Sequence, residues 1–316
     1  MEKIDMYFEN IKGQEFAKKY MINSIKKGSI NHAYMFEGIE GIGKETFADE
    51  LVKILLDAKY LDNTPDCIRV KPDGNSIKIA QIRNLQSDIV IKPHKKYKIY
   101  IIDKSEKMTV EAQNALLKTL EEPPEYAIII LIANNKESLL PTIRSRCEIV
   151  KFTPIPFVEI KQYLINQGID ENRANLLVSF SRGSMKKALE LAQSNDFYEM
   201  KENVQGYIET LMGKNMVNIL DIPSKMESYK GDVIVVLDIM INYFRDMMIS
   251  KENVDKSMII NADKIVFIQN MSKKITYSQV SKIIDIIEDT KIKIKGNCNF
   301  NVSIQVMSLN IYEVIK

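Results

Sequence analysis

The sequence predicts an α/β N-terminal domain built on a five-stranded parallel sheet, then a small helical segment and an all-α C-terminal region. Three observations carry this. Short apolar runs without polar alternation recur between stretches of helical spacing up to about residue 152, the pattern of strands covered on both faces. A glycine-rich turn joins the first of these runs to a helix. After Thr153, Pro154, Ile155 and Pro156, only helical spacing remains. The domains expected are residues 1–153, 154–195 and 196–316, in line with the 316-residue length.

Taken in order, Ala33 to Glu37 is the first strand and stops at Gly38. Helical spacing runs from Thr46 to about Lys59. Cys67 to Val70 is a second strand, and Ile79, Ile82 and Leu85 mark a helix through Ser87. Ile99 to Asp103 is a buried-type strand. Thr109 is placed to cap a helix from Val110 to Glu122, because its hydroxyl can accept a free backbone N–H. Pro123 and Pro124 end that helix, since proline has no N–H and restricts the residue before it. Ala127 to Ala133 and Glu148 to Phe152 complete the sheet. Beyond the two prolines at 154 and 156, a helical segment ends near Ser194, and further helices break near Gly213, Pro223 and Gly231. Lys291 to Lys295 reads as part of one of these helices or its end.

Composition excludes several classes. The apolar share is 45% and the charged share 27%, the mix of a globular protein. Ala127 to Ala133 falls far short of the roughly 18 apolar residues of a membrane span. Met1 to Asp5 is charged with no apolar core behind it, so no secretory signal is expected and the cytoplasm is the expected location. Cys67, Cys147 and Cys298 lie too far apart for a disulfide scaffold or a four-cysteine zinc site, and His32 and His94 are too few for a histidine metal centre. No bound metal is expected. The net charge of +2 is small for a protein that grips DNA alone by its phosphates. Lys92 to Lys98 is a basic run that reads as a solvated loop or, less readily, as a DNA-phosphate contact. Cys147 reads as a small buried residue opening a strand, and Met240, Met247 and Met248 as core or interface filler.

Two segments carry chemistry. Gly38, Gly41, Gly43 and Lys44 stand in a G-x-x-x-x-G-K spacing between a strand and a helix, where backbone N–H groups wrap a triphosphate and the lysine reaches its outer phosphates. The same glycines would serve a tight strand-to-helix turn. The next position, which normally carries a Mg²⁺-binding hydroxyl, is Glu45, a carboxylate that would repel phosphate. Thr46 comes one residue late and points about 100° around the helix. Asp103 ends an apolar strand, as an Mg²⁺-organising acid does in such folds, or else it is a strand end with a surface charge pair to Lys104. The second segment, Leu139 to Cys147, holds Arg144 and Arg146 just after Asn134 and Asn135, past a strand's C-terminal end, where α/β folds build ligand sites. Alone, such a loop is solvated surface; an arginine offered from it in trans can stabilise charge on a transferring phosphoryl group.

Gly38 to Lys44, Ile99 to Asp103, the leucine-rich helix from Ala115 ending in Glu121, Glu122, Pro123 and Pro124, and Ser145-Arg146-Cys147 together resemble the AAA+ clamp-loader subunits of bacterial DNA polymerase III. Phe8 to Gln14 and His32 to Tyr34 also fit. The resemblance covers residues 1 to about 190; the C-terminal third matches only in length and helical character. It implies an AAA+, P-loop NTPase-like domain, a helical lid and a collar that joins a five-subunit ring. It further implies gamma/tau ATPase subunits and the delta subunit as partners, with the beta sliding clamp and primer-template DNA reached indirectly.

Several departures from the motor subunits go with it. Lys104 replaces the glutamate that polarises the attacking water, and an ammonium is no general base at neutral pH. Lys104 is then expected to pair with Asp103 or Glu106. Lys186 stands where a motor subunit carries its second sensor arginine, and the zinc module expected near residues 55 to 70 is reduced to Cys67. The resemblance therefore implies a non-hydrolysing member. Its degenerate nucleotide site comprises Gly38, Gly41, Gly43, Lys44, Asp103, Asn134 and Lys186, with ATP and Mg²⁺ binding weak or lost. Its Arg146 completes the ATP site of a neighbouring subunit. Two other readings stay open: a self-sufficient AAA+ ATPase, either a motor subunit or a recombination-associated relative, and a scaffold whose arginine is idle.

Overall fold

A computed structural model describes residues 8–60, 64–213, 215–252 and 259–316. The Met1 to Asp5 stretch lies outside the described residues. Among the described residues, no helix is long and apolar enough to cross a membrane. The chain divides into two compact units: one runs to Gln162 and takes in Ser181–Lys187, the other comprises Tyr163–Phe180 and Ala188–Lys316.

The first unit is a doubly covered sheet. Its elements are α1 (Glu15–Lys27), β1 (Ala33–Glu37), α2 (Lys44–Leu55), β2 (Cys67–Val70), α3 (Ile79–Ile89), β3 (Lys98–Ile102), α4 (Val110–Glu121), β4 (Ala127–Ala133), α5 (Pro141–Arg144) and β5 (Glu148–Lys151). The five strands lie in the order β2-β3-β4-β1-β5, and every pairing is parallel. The expected strands form, shifted by at most a residue at their ends.

β4 is buried along its whole length, as its unbroken apolar run requires. On one face, Met35, Tyr100, Ile129 and Leu131 pack with Ile82, Leu85, Leu116 and Leu120 of α3 and α4. Strand alternation sends Tyr34 and Phe36 of β1 to the other face. There Phe36, Phe47 and Phe152 pack with ring centroids 5.1–5.6 Å apart, and Phe8 stacks on Phe47 at 4.3 Å.

Helix α2 starts at Lys44, two residues before the expected Thr46. Gly43 adopts φ +96°, a left-handed conformation that lets the chain turn from the loop straight into the helix. Thr109 caps α4 as expected, its hydroxyl accepting the Ala112 N–H at 3.3 Å. The basic run is solvated only in part. Lys92, His94, Lys95 and Lys96 are exposed, but Lys98 opens β3 and is buried. Its Nζ donates to the Asp88 carbonyl at 2.8 Å and pairs with the Asp88 carboxylate at 2.8 Å. A buried ammonium must be met this way, because leaving it unpaired costs several kcal/mol.

Linking segments are α6 (Phe157–Asn166), α7 (Glu171–Ser181) and α8 (Met185–Gln193). The second unit is otherwise α9 (Asn195–Met212), α10 (Met216–Leu220), α11 (Ile222–Met226), α12 (Val233–Lys251), α13 (Ile265–Ser272), α14 (Tyr277–Lys295) and α15 (Phe300–Ile315). Ser194, Thr276 and Asn299 cap α9, α14 and α15 with their side chains. Lys291 to Lys295 is the end of α14. Met240 and Met247 are core and Met248 is half-buried. Two buried charges here are matched: Lys291 meets Asp238 at 2.6 Å, and Asp246 accepts two backbone N–H groups and the Asn261 amide at 2.7–3.0 Å.

One side chain holds the sheet's C-terminal edge in place. Gln14, just before α1, donates to the Ile42 and Thr153 carbonyls at 3.2 and 2.7 Å and accepts the Thr153 N–H at 3.0 Å. It joins the N-terminal segment, the glycine loop and the chain leaving β5. Gln14→Leu removes the partner of the buried Ile42 carbonyl and of the part-buried Thr153 groups and is expected to destabilise the protein by about 1–3 kcal/mol. The check is urea unfolding followed by tryptophan-free far-UV circular dichroism, and an unchanged midpoint would contradict this role.

Candidate functional site

The C-terminal ends of β1, β3 and β4 converge, and the loops that follow them build the site, as expected where an open α/β sheet reverses its strand order. The glycine loop Gly38–Gly43 follows β1. Lys44, at the first turn of α2, is only 5% exposed. Its Nζ donates to the Gly38 carbonyl, to the Ile39 carbonyl at 2.8 Å and to Asn134 Oδ1 at 3.0 Å. Burial pulls its pKa down to about 8, against the attraction of Glu106, Glu40 and Glu45. Asn134 is itself held, its N–H donating to Glu106 Oε2 at 3.3 Å. The loop therefore wraps its own lysine.

The outer rim is closed by charge. Glu40 lies 3.2 Å from Lys186 Nζ and 3.4 Å from Lys104 Nζ. The Lys186 hydrogen bond, and then the charge of both lysines, hold its carboxyl below the usual range despite some burial. Lys104 thus meets Glu40 rather than Asp103 or Glu106, because the left-handed turn at Lys104 (φ +49°) carries its side chain out of the strand line toward the glycine loop. The backbone adds a second closure, with Lys186 N–H donating to the Gly41 carbonyl at 3.2 Å. A Cβ on Gly41, whose φ is +80°, would come within 2.7 Å of Lys186 Cβ, so no other residue fits there without displacement.

Asp103 is 4% exposed and faces Arg69 of β2, whose Nη1 is 3.3 Å from its Oδ2. The same guanidinium pairs with Asp49 of α2. Oδ1 of Asp103 is buried without a hydrogen-bond partner. Burial raises the Asp103 pKa to about 6; Arg69 opposes the rise, and Glu45 and Asp49 add to it. Glu45 itself is exposed on the first turn of α2. An arginine thus occupies the side of Asp103 that a cation would face.

Gly38, Gly41, Gly43, Lys44, Asn134 and Lys186 come together, while Asp103 at the end of β3 is turned to Arg69. Phosphates would have to displace three acceptors from Lys44 and part Glu40 from two ammonium groups. Glu40 and Arg69 were not among the expected site residues. Glu40 sat at a variable position of the glycine loop and Arg69 in a strand, with nothing local to mark either.

Arg146 follows α5 and is half-buried, its side chain 35% exposed. Its Nη2 lies 2.6 Å from Glu121 Oε1, and its Nη1 donates to the Thr142 carbonyl at 2.9 Å. Arg144 pairs with the exposed Glu137, with its Nε buried and unpartnered. Both arginines are half-buried, Arg146 the more exposed at 35% against 25%. Cys147 is pushed up to about 12 by burial, which makes it an inert thiol.

Comparison with known proteins agrees along most of the chain. A family model described as DNA polymerase III, delta subunit, matches residues 13–156, and one described as its C-terminal part matches residues 201–310. DNA polymerase III subunit delta' of Bacillus subtilis is 32% identical over 303 residues, covering 89% of this chain and 91% of that protein. Subunit tau of the same organism is 27% identical over 336 residues, covering 91% of this chain and 58% of tau. Among solved structures, a gamma-subunit-related protein of Thermotoga maritima has 22% identity and a TM-score of 0.45, covering 96% of this chain and 99% of that one.

Asp103 supplies a pH signature. Its carboxyl holds a proton to higher pH in the folded state than its ordinary value of 3.8. The folded state then binds more protons between pH 3.8 and about 6, so this contribution to stability falls as pH rises through that window and levels off above it. The ceiling of this contribution is about 3 kcal/mol. In Asp103→Asn the fall across this window is expected to be smaller than in the wild type, measured by urea unfolding at each pH; equal pH profiles would contradict the assignment.

Proposed function

We infer the function from one premise: the chain belongs to the DNA polymerase III delta-prime family and is a clamp-loader subunit. On it we propose a member that neither hydrolyses ATP nor binds it productively, and that lends Arg146 to the ATP site of an adjacent subunit. The observation that supports this best is the contrast between two places in one unit. Lys44 and Asp103 are almost fully buried among the chain's own groups, whereas the Arg146 side chain is 35% exposed and its ion pair with Glu121 is open to solvent.

In this reading Arg146 stabilises the negative charge that develops on the γ-phosphoryl oxygens in the neighbour's site. A planar guanidinium suits that role, since it stays charged and can donate to two oxygens at once. The partners are the gamma/tau ATPase subunits and the delta subunit. Residues 154–195 serve as the lid and 196–316 as the collar that holds the complex, which opens the beta clamp and places it on primed DNA. Lys44 and Lys186 persist as structural parts of a closed loop.

The test uses the purified chain and a loader reconstituted from it with the ATPase and delta subunits. The chain alone is expected to show no ATP turnover and no low-micromolar affinity for a fluorescent ATP analogue with Mg²⁺. Arg146→Ala is expected to cut the DNA-stimulated ATPase of the assembled loader at the site it serves, where a trans arginine contributes about 10³ to 10⁵ in rate. Turnover by the isolated chain that Lys44→Ala abolishes would instead make it an ATPase in its own right.

A further inference from the structure

Resting on the trans-arginine reading, we propose that Glu121 is a positioning residue for Arg146, aiming the guanidinium before the neighbouring subunit's phosphate arrives.

The guanidinium is held at two points on two elements, with a longer contact from Nη1 to Ser145 Oγ at 3.5 Å. Glu121, the last residue of α4, contacts Nη2 at 2.6 Å, and the Thr142 carbonyl of α5 accepts from Nη1 at 2.9 Å. Both anchors are rigid. Helix α4 is locked to the sheet through Ala112, Leu116 and Leu120, all buried, and Pro123 stops it just past Glu121. Helix α5 is locked to α4, because Leu140 N–H donates to Gln113 Oε1 at 2.8 Å and Ile143 is fully buried. Gln113 in turn donates to the Met108 carbonyl at 3.1 Å. The two anchors therefore keep a fixed separation, and a guanidinium spanning them has a fixed direction.

Stability alone gives this pair little reason to exist. Glu121 is 48% and Arg146 35% exposed, and such surface ion pairs contribute only about 0–1 kcal/mol. Its effect lies in geometry. An arginine side chain has four rotatable bonds, and holding it near its working rotamer removes an ordering cost from the step in which it meets phosphate. Arginine has five N–H donors, and the two contacts leave others to face outward. Arg144, two residues earlier, shows the alternative: its guanidinium is taken by Glu137 beside its own loop.

The experiment compares Glu121→Ala, Glu121→Gln and Arg146→Ala in the reconstituted loader, reading kcat and KM for DNA-stimulated ATP hydrolysis, with the thermal midpoint of each isolated chain as the folding control. Glu121→Ala is expected to lower kcat about tenfold at the site served, the scale of a misplaced catalytic group, with KM for ATP within twofold. Glu121→Gln keeps an acceptor at the same reach and is expected to restore most of that rate. The double variant Glu121→Ala/Arg146→Ala is expected to match Arg146→Ala alone. A wild-type kcat for Glu121→Ala beside a crippled Arg146→Ala overturns the positioning role and leaves the trans arginine standing. Faster turnover in both Glu121 variants also overturns it, making the carboxylate a brake. A wild-type rate for Arg146→Ala sinks the underlying reading and this inference with it.

Discussion

One ammonium group organises the nucleotide-like corner of this protein. Lys44 leaves the first turn of α2, bends back under the glycine loop and binds two carbonyls of that loop and the side chain of Asn134 beyond β4. It ties the exits of two neighbouring strands. A buried lysine with fewer partners would lose its proton or open the loop to water. In a phosphate-binding loop the ligand supplies those partners; in this chain the loop supplies them itself.

The same substitution of inner for outer partners is repeated around it. A carboxylate, Glu40, sits between Lys104 and Lys186, and a guanidinium, Arg69, sits between Asp49 and Asp103. Each gives an anion or a cation to groups that would otherwise seek one from solution. The match is incomplete at Asp103, whose second oxygen is buried without a donor, and burial raises its pKa despite Arg69. At the surface the setting differs: Arg146 has its partner in Glu121, and that pair is partly solvated rather than buried.

The helical second unit rests on the same electrostatic rule in a different setting. Long apolar faces on α12, α14 and α15 make the core, while Lys291 and Asp246, both buried, are held by a carboxylate and by backbone donors respectively. Buried charges of this kind contribute little net stability against an apolar replacement but penalise mispacked arrangements, since any shift leaves one of them alone.

Much of the fold was legible in the amino-acid order. Apolar runs such as Ala127–Ala133, the prolines after α4, the cap at Thr109 and the glycine spacing before Lys44 are local signals, because strand burial, helix ends and backbone turns are set by residues a few positions apart. Those same signals, with the Ser145-Arg146-Cys147 loop, were enough to indicate the family. What only tertiary structure decided was which charge meets which. Lys104 turned to Glu40, Asp103 to Arg69, Lys98 into the core beside Asp88, and Arg146 to Glu121, across separations of 10 to 64 residues that no periodicity encodes. A side chain's charge is written in the sequence, but its partner is set by distance through space, and that distance exists only once the strands have paired and the helices have closed over them.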